Sequence, residues 1–154
     1  FISIHANAGF NRNKQGAEVY CLSLGAASQE AARILAEKEN SSDLIGGVDL
    51  ASCNNGVDSI LVQMEQTRSI NDGLILGRLT LEELKKVTAI NFLQPLQAGF
   101  SVLKAPDIPS ILIEIGYLSN PDEEKLLTTE CFQNRIVEAI KNGALNFFHQ
   151  ISTE

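Results

Sequence analysis

Ser110-Ile111-Leu112-Ile113-Glu114-Ile115 is an almost continuous apolar run, enriched in β-branched residues and broken once by an acid. Such a run is the mark of a strand buried on both faces, as in the interior of a parallel or mixed sheet. Pro106 and Pro109 just before it exclude both helix and central-strand pairing, so Ala105–Pro109 reads as a loop. After it, Asn120-Pro121-Asp122-Glu123 offers a cap residue, a proline in the first turn and acids at the positive helix end. The terminal helix that follows carries Phe132, Ile136, Ile140 and Phe147 on one face.

Upstream the same alternation recurs. Residues 1–6 read as a short strand, Asn7 to Gln15 as an Asn- and Gly-rich loop, and residues 17–23 as a second strand. Ser28 is placed to cap a helix to about Glu39, with Ala31, Ala32, Leu35 and Ala36 as its apolar stripe, and Asn40 to Asp43 interrupt it. Asp43 to Asn55 reads mostly as loop. Helical spacing resumes from Asp58 with Ile60, Leu61, Met64 and Ile70, and Thr80-Leu81-Glu82-Glu83 matches a capping box for a helix, or its restart, to about Val87. Residues 99–104 alternate and read as a strand. Strands interleaved with helices around a buried strand predict an α/β fold with a mixed, largely parallel sheet flanked by helices.

Bulk properties narrow the function. At 154 residues, 44% hydrophobic and 20% charged, the chain suits one globular domain with a sizeable core. A net charge of -7 argues against nucleic acid and against anionic lipid surfaces. No run approaches the roughly 20 apolar residues that span a bilayer. Cys21, Cys53 and Cys131 have no C-x-x-C spacing and are too few for a disulfide scaffold; they read as two buried thiols and one in a loop, with a Cys21–Cys53 or Cys53–Cys131 bridge left open. The chain opens on Phe1-Ile2-Ser3-Ile4-His5, which reads as the middle of a buried strand and leads to the expectation of a preceding segment.

Two residues could carry chemistry. His5 ends the first strand, where open α/β sheets bind ligands; alone, it is either a hydrogen-bonded structural residue or a metal ligand. Glu114 costs several kcal/mol to bury as an ion unless paired or metal-bound, so it is an outward-facing or salt-bridged acid, or a catalytic or metal-associated carboxylate. There is no Gly-rich phosphate loop, no G-x-S-x-G and no cysteine with a credible His and Asn set. A catalytic zinc takes three protein ligands and keeps one open position, and His5 and Glu114 do not by themselves make three.

The same residues carry a resemblance. Ser3-Ile4-His5-Ala6-Asn7-Ala8 resembles the S-I-H-A-N/D-A motif of zinc-dependent N-acetylmuramoyl-L-alanine amidases, and Val102 to Pro121 resembles that family's signature around its catalytic glutamate. Asn40-Ser41-Ser42-Asp43-Leu44-Ile45-Gly46-Gly47 looks like the insertion of the cell-division amidases of Gram-negative bacteria, in which a helix blocks the zinc site until an activator protein displaces it. The resemblance implies that the chain is the C-terminal part of such a catalytic domain, over residues 1–154, with a regulatory insertion at approximately 40–80. It implies a zinc-exopeptidase-like fold with a six-stranded mixed sheet, here lacking N-terminal elements. His5 would be a zinc ligand and Glu114 the catalytic glutamate, with Asn7 in either a supporting or a plain loop role. Glu39 and Glu65 flank the insertion; either could occupy the open zinc position, or both lie on solvated helix faces. Relatives take two further ligands, a His and a Glu, from an upstream D-x-G-H-G-G-like segment. The residues given lack it, so on their own they are expected to hold zinc poorly and to be inactive. The implied substrate is peptidoglycan, the implied partner an activator protein of the division machinery, and the implied compartment the periplasm, where an odd cysteine count is awkward. Another zinc exopeptidase, such as a carboxypeptidase, and a non-catalytic module binding peptidoglycan or a division protein are the other readings.

Overall fold

A computed structural model describes residues 1–45 and 60–153 of the chain, with the side chains of residues 43–45 left out. Four strands form its sheet: β1 (Ile2–Asn7), β2 (Glu18–Leu22), β3 (Leu96–Ala98) and β4 (Ile111–Tyr117). Their order is β1-β4-β2-β3. β4 is an inner strand, parallel to β1 on one side and antiparallel to β2 on the other, and β3 runs parallel to β2. The expected mixed, largely parallel sheet is therefore present, with four strands among the described residues where the resemblance implies six.

Side-chain alternation divides this sheet into two unlike faces. Ile111 and Ile113 of β4, with Val19 and Cys21 of β2, enter one apolar core against α2 (Ile60–Leu84) and α4 (Glu130–Ile151). Phe132, Ile136, Ile140 and Phe147 supply the α4 side of that core, on the single stripe their spacing predicts. Leu112 points the other way, joining Tyr20, Leu22, Leu96 and Ala98 beneath α1 (Glu30–Ile45). The α1 stripe is Ala32, Leu35 and Ala36; Ala31 is exposed. Glu114 shares the α1 side with Leu112, and the register places His5 of β1 and Glu18 of β2 directly beside it. Three acidic or basic residues of three adjacent strands thus meet on one side of the sheet.

Local signals hold at the end of β4. Asn120 caps α3 (Pro121–Leu127), its Oδ1 accepting from the backbone N–H groups of Asp122 and Glu123 at 3.0 and 3.3 Å. The buried Glu123 carboxylate accepts from the backbone N–H groups of Gly16 and Tyr117, each at 2.7 Å, and ties the loop before β2 to the end of β4.

Three expectations are corrected. Asn40–Asp43 do not interrupt α1, which runs to Ile45. Ser41 and Ser42 turn their hydroxyls back to the carbonyls of Glu37 and Lys38, satisfying themselves inside the helix. Residues 99–104 do not form a strand: β3 ends at Ala98, and Ser101–Leu103 is a 3-10 turn. The groups a strand partner would have used are taken by Asn40, whose Nδ2 donates to Gly99 O at 2.9 Å and whose Oδ1 accepts from Ser101 N at 2.8 Å. Thr80 does not start a helix. It lies inside the continuous α2, fully buried, with Leu76, Leu81 and Leu84 extending the buried stripe past it. Of the cysteines, Cys21 is a buried free thiol and Cys131 an exposed one on α4, whereas Cys53 lies outside the described residues.

The α2–α4 contact closes on Gly143, where an added Cβ would stand 2.7 Å from Thr80 Cα and 2.8 Å from its Oγ1. Gly143→Ala gains about 1 kcal/mol of helix propensity. It also forces apart two packed helices, at about 1–3 kcal/mol. A lowered urea midpoint is expected, and a midpoint equal to or above wild type would contradict this packing.

Candidate metal centre

β1 delivers His5 to the α1 side of the sheet, and Ser3, two residues earlier on the same strand, shares that side. The Ser3 Oγ lies 2.9 Å from His5 Nε2, which leaves Nδ1 directed at Glu39 Oε2 of α1, 3.1 Å away. An imidazole held at one nitrogen and aimed with the other is the usual arrangement of a metal-binding histidine. Glu39 is largely buried, its side chain 13% exposed, and Lys38 Nζ lies 3.4 Å from its other oxygen.

Glu114 completes the group. It is wholly buried, and neither carboxylate oxygen has a hydrogen-bond partner. An unpartnered buried acid is costly, and in a native fold it asks for a missing proton or cation. Desolvation is the main cause that pushes its pKa up to about 8; the neighbouring Glu39 carboxylate adds to the rise, Lys38 opposes it, Glu18 adds and Lys14 opposes. One ligand atom each from His5, Glu39 and Glu114 lie within 4.8 Å of one another. That is close to the span bridged by two metal–ligand bonds of about 2.0–2.2 Å each, and one imidazole with carboxylates is a donor set that suits zinc. The residues present fit a cation.

The other candidate residues fall elsewhere. Asn7 is buried, but its Oδ1 accepts from the adjacent Ala8 N at 2.8 Å, a loop hydrogen bond. Glu65 lines a separate cleft with Phe1, Asp72 and Phe147. Ile60, Leu61 and Met64, which mark the helical spacing, are exposed at the start of α2, and the side chains of Leu44 and Ile45 lie outside the described residues. Two residues at the site were not anticipated. Ser3 is on the His5 face by simple i, i+2 alternation. Glu18, 1% exposed, is an acid inside a strand just as Glu114 is, and the same oddity would have flagged it.

A family model described as N-acetylmuramoyl-L-alanine amidase matches residues 1–146. The chain belongs to that family. Relatives include N-acetylmuramoyl-L-alanine amidase AmiC of Escherichia coli, 44% identical across 96% of this chain and 35% of that protein. AmiC of Neisseria meningitidis is 40% identical across 97% of this chain and 36% of that protein. The chain therefore spans about a third of the length of these amidases. Among solved structures, the CwlD amidase of Clostridioides difficile, in complex with the GerS lipoprotein, superposes with a TM-score of 0.62 at 25% identity, over 97% of this chain and 54% of that one. The amidase AmiC2 of Nostoc punctiforme shares the fold at a TM-score of 0.54 and 21% identity, over 97% of this chain and 57% of its own.

Because burial holds a proton on Glu114 up to about pH 8, against 4.5 for an ordinary glutamate, the folded, metal-free chain binds a proton that the unfolded chain releases. The associated stabilisation is whole below pH 4.5 and is lost as pH rises through about 8, on the order of 1.4 kcal/mol per pH unit at most. Urea unfolding in the presence of a chelator between pH 5 and 8 should show this fall, and Glu114→Gln should flatten it. A wild-type profile as flat as that of the variant would exclude an unpartnered Glu114.

Proposed function

We propose that this chain is the part of a zinc-dependent N-acetylmuramoyl-L-alanine amidase that carries its catalytic glutamate, and that the parent protein hydrolyses the amide joining the lactyl group of N-acetylmuramic acid to L-alanine of the peptidoglycan stem peptide. The observation that carries the reading is the unpartnered, fully buried Glu114 beside His5 on one sheet face. His5 would hold zinc through the nitrogen that Ser3 leaves free. Zinc, when bound, supplies a Lewis acid for the carbonyl and lowers the pKa of a bound water. Glu114 takes the proton of the attacking water and returns it to the amide nitrogen as the C–N bond breaks. Its raised proton affinity suits an acid that must work in both directions near neutral pH.

Glu39 is the carboxylate placed to hold the open metal position in a resting state, supported by its contact with His5. The insertion at approximately 40–80 would be the regulatory element, and an activator protein of the division machinery would withdraw α1. The CwlD amidase in complex with the GerS lipoprotein supports a protein partner, and peptidoglycan as the substrate would place the parent enzyme outside the cytoplasmic membrane, in the periplasm. No helix among the described residues is long and apolar enough to cross a membrane.

The test is muropeptide cleavage and metal content in the full-length gene product. Zinc near one equivalent is expected. Glu114→Gln should lower kcat by about 10²–10⁴-fold, and His5→Ala should lose the metal. The absence of both zinc and cleavage, with activator present, would remove the proposal. Within it, Glu39→Ala should raise cleavage measured without activator, by about tenfold or more. Glu65→Ala should leave that basal rate unchanged; the same rate in both variants would dismiss Glu39 as the blocking group.

A further inference from the structure

Glu18 and Glu114 are directly paired across β2 and β4, both are buried, and both carry their carboxylates on the α1 side of the sheet. Their surroundings could hardly differ more. Glu114 has no donor, whereas four converge on Glu18: the hydroxyl of Tyr20, the hydroxyl of Tyr117 at 2.8 Å, Asn91 Nδ2 at 2.8 Å and Lys14 Nζ at 3.0 Å. Lys14 also sits over the Tyr117 ring, 4.8 Å from its centroid, and Asn120 Nδ2 donates to its carbonyl at 3.2 Å.

Two of these donors come from the segments that leave the site. Lys14 lies in the loop after β1, the strand of His5. Tyr117 ends β4, the strand of Glu114. Its presence beside Glu18 depends on an irregularity: His5 pairs with Glu114 but Asn7 pairs with Tyr117, so β4 carries one extra residue. Regular alternation would send Tyr117 toward the α2–α4 core, and the bulge turns it back to the side of Glu114. A tether needed only for stability could sit anywhere in the sheet. This one sits next to the reacting carboxylate and fastens both strands of the site to one point.

We propose that Glu18 is a positioning residue for the amide hydrolysis, clamping the bulged end of β4 through Tyr117 and the loop after β1 through Lys14 so that Glu114 stays aligned with His5. The proposal rests on the amidase reading above. Glu18 itself touches neither metal nor substrate: its lone pairs are committed to the four donors.

The experiment compares Glu18→Ala, Glu18→Gln, Tyr117→Phe and Lys14→Met with wild type in the full-length gene product. The readouts are Tm, zinc affinity by competition with a chromophoric chelator, and kcat and KM on muropeptides. Misalignment by a fraction of an ångström should lower kcat about 10- to 100-fold in Glu18→Ala and Tyr117→Phe. KM should stay within about twofold, and zinc binding should weaken about tenfold. Glu18→Gln, which still accepts from the tyrosines, should recover most of both losses. A lower Tm with wild-type kcat and zinc affinity would reduce Glu18 to a structural tether and overturn the proposal. A raised KM at unchanged kcat would overturn it too, by placing Lys14 on the substrate. Should Glu18→Ala fail to fold, Tyr117→Phe, which removes a single oxygen, decides alone. Wild-type protein with neither zinc nor cleavage would instead refute the amidase reading, and the inference with it.

Discussion

Glu114 puts two carboxylate oxygens where there is neither water nor a hydrogen-bond donor, and the surrounding structure is arranged around that cost. The inner position of β4 keeps solvent out on both faces. Ile111 and Ile113 face the α2–α4 layer, so the polar groups of β1, β2 and α1 meet Glu114 on the other side, beside the apolar cluster that Leu112 joins. The nearby donors are spent on Glu18, and the nearest group on α1 is another acid. A site assembled in this way is electrostatically incomplete without a proton or a cation, which is the condition under which a buried glutamate is useful to catalysis.

Much of this could be read from the residues in order. The apolar run with one acid located β4 and Glu114 together, because burial on both faces leaves a charged residue nowhere to hide. The terminal helix and the Asn120 cap follow from spacing and from one side chain meeting its own backbone. Such signals are local, and they held. The failures have a common cause in contacts between residues far apart in sequence. Asn40 engages Gly99 and Ser101, some sixty positions downstream, and thereby carries α1 past its apparent break while converting an apparent strand into a 3-10 turn. Thr80 looks like a cap because Glu83 follows it, but Gly143 on α4 gives it a place in a helix interior.

The site itself was half legible. His5 and Glu114 are peculiar by position. Glu39 is one acid among many on a helix, and only the packing of α1 on the sheet separates it from Glu65. Glu18 hides for another reason: a carboxylate met by four donors is distributed over residues 14, 20, 91 and 117, and no short window contains the set.

The unlike faces of β4 also bear on how the chain finds its pairing. A slip of one residue against β1 and β2 would exchange the faces of the whole strand. Ile113 would be turned out toward His5, and Glu114 would be driven among Phe132, Ile136 and the other side chains that line α2 and α4. An apolar run such as Ile111-Leu112-Ile113-Ile115 has little of its own with which to distinguish one register from the next. The single acid supplies the distinction, since a one-residue slip in either direction buries it in hydrocarbon. The residue proposed to move protons in the finished protein is, during folding, the marker by which the strand is read in frame.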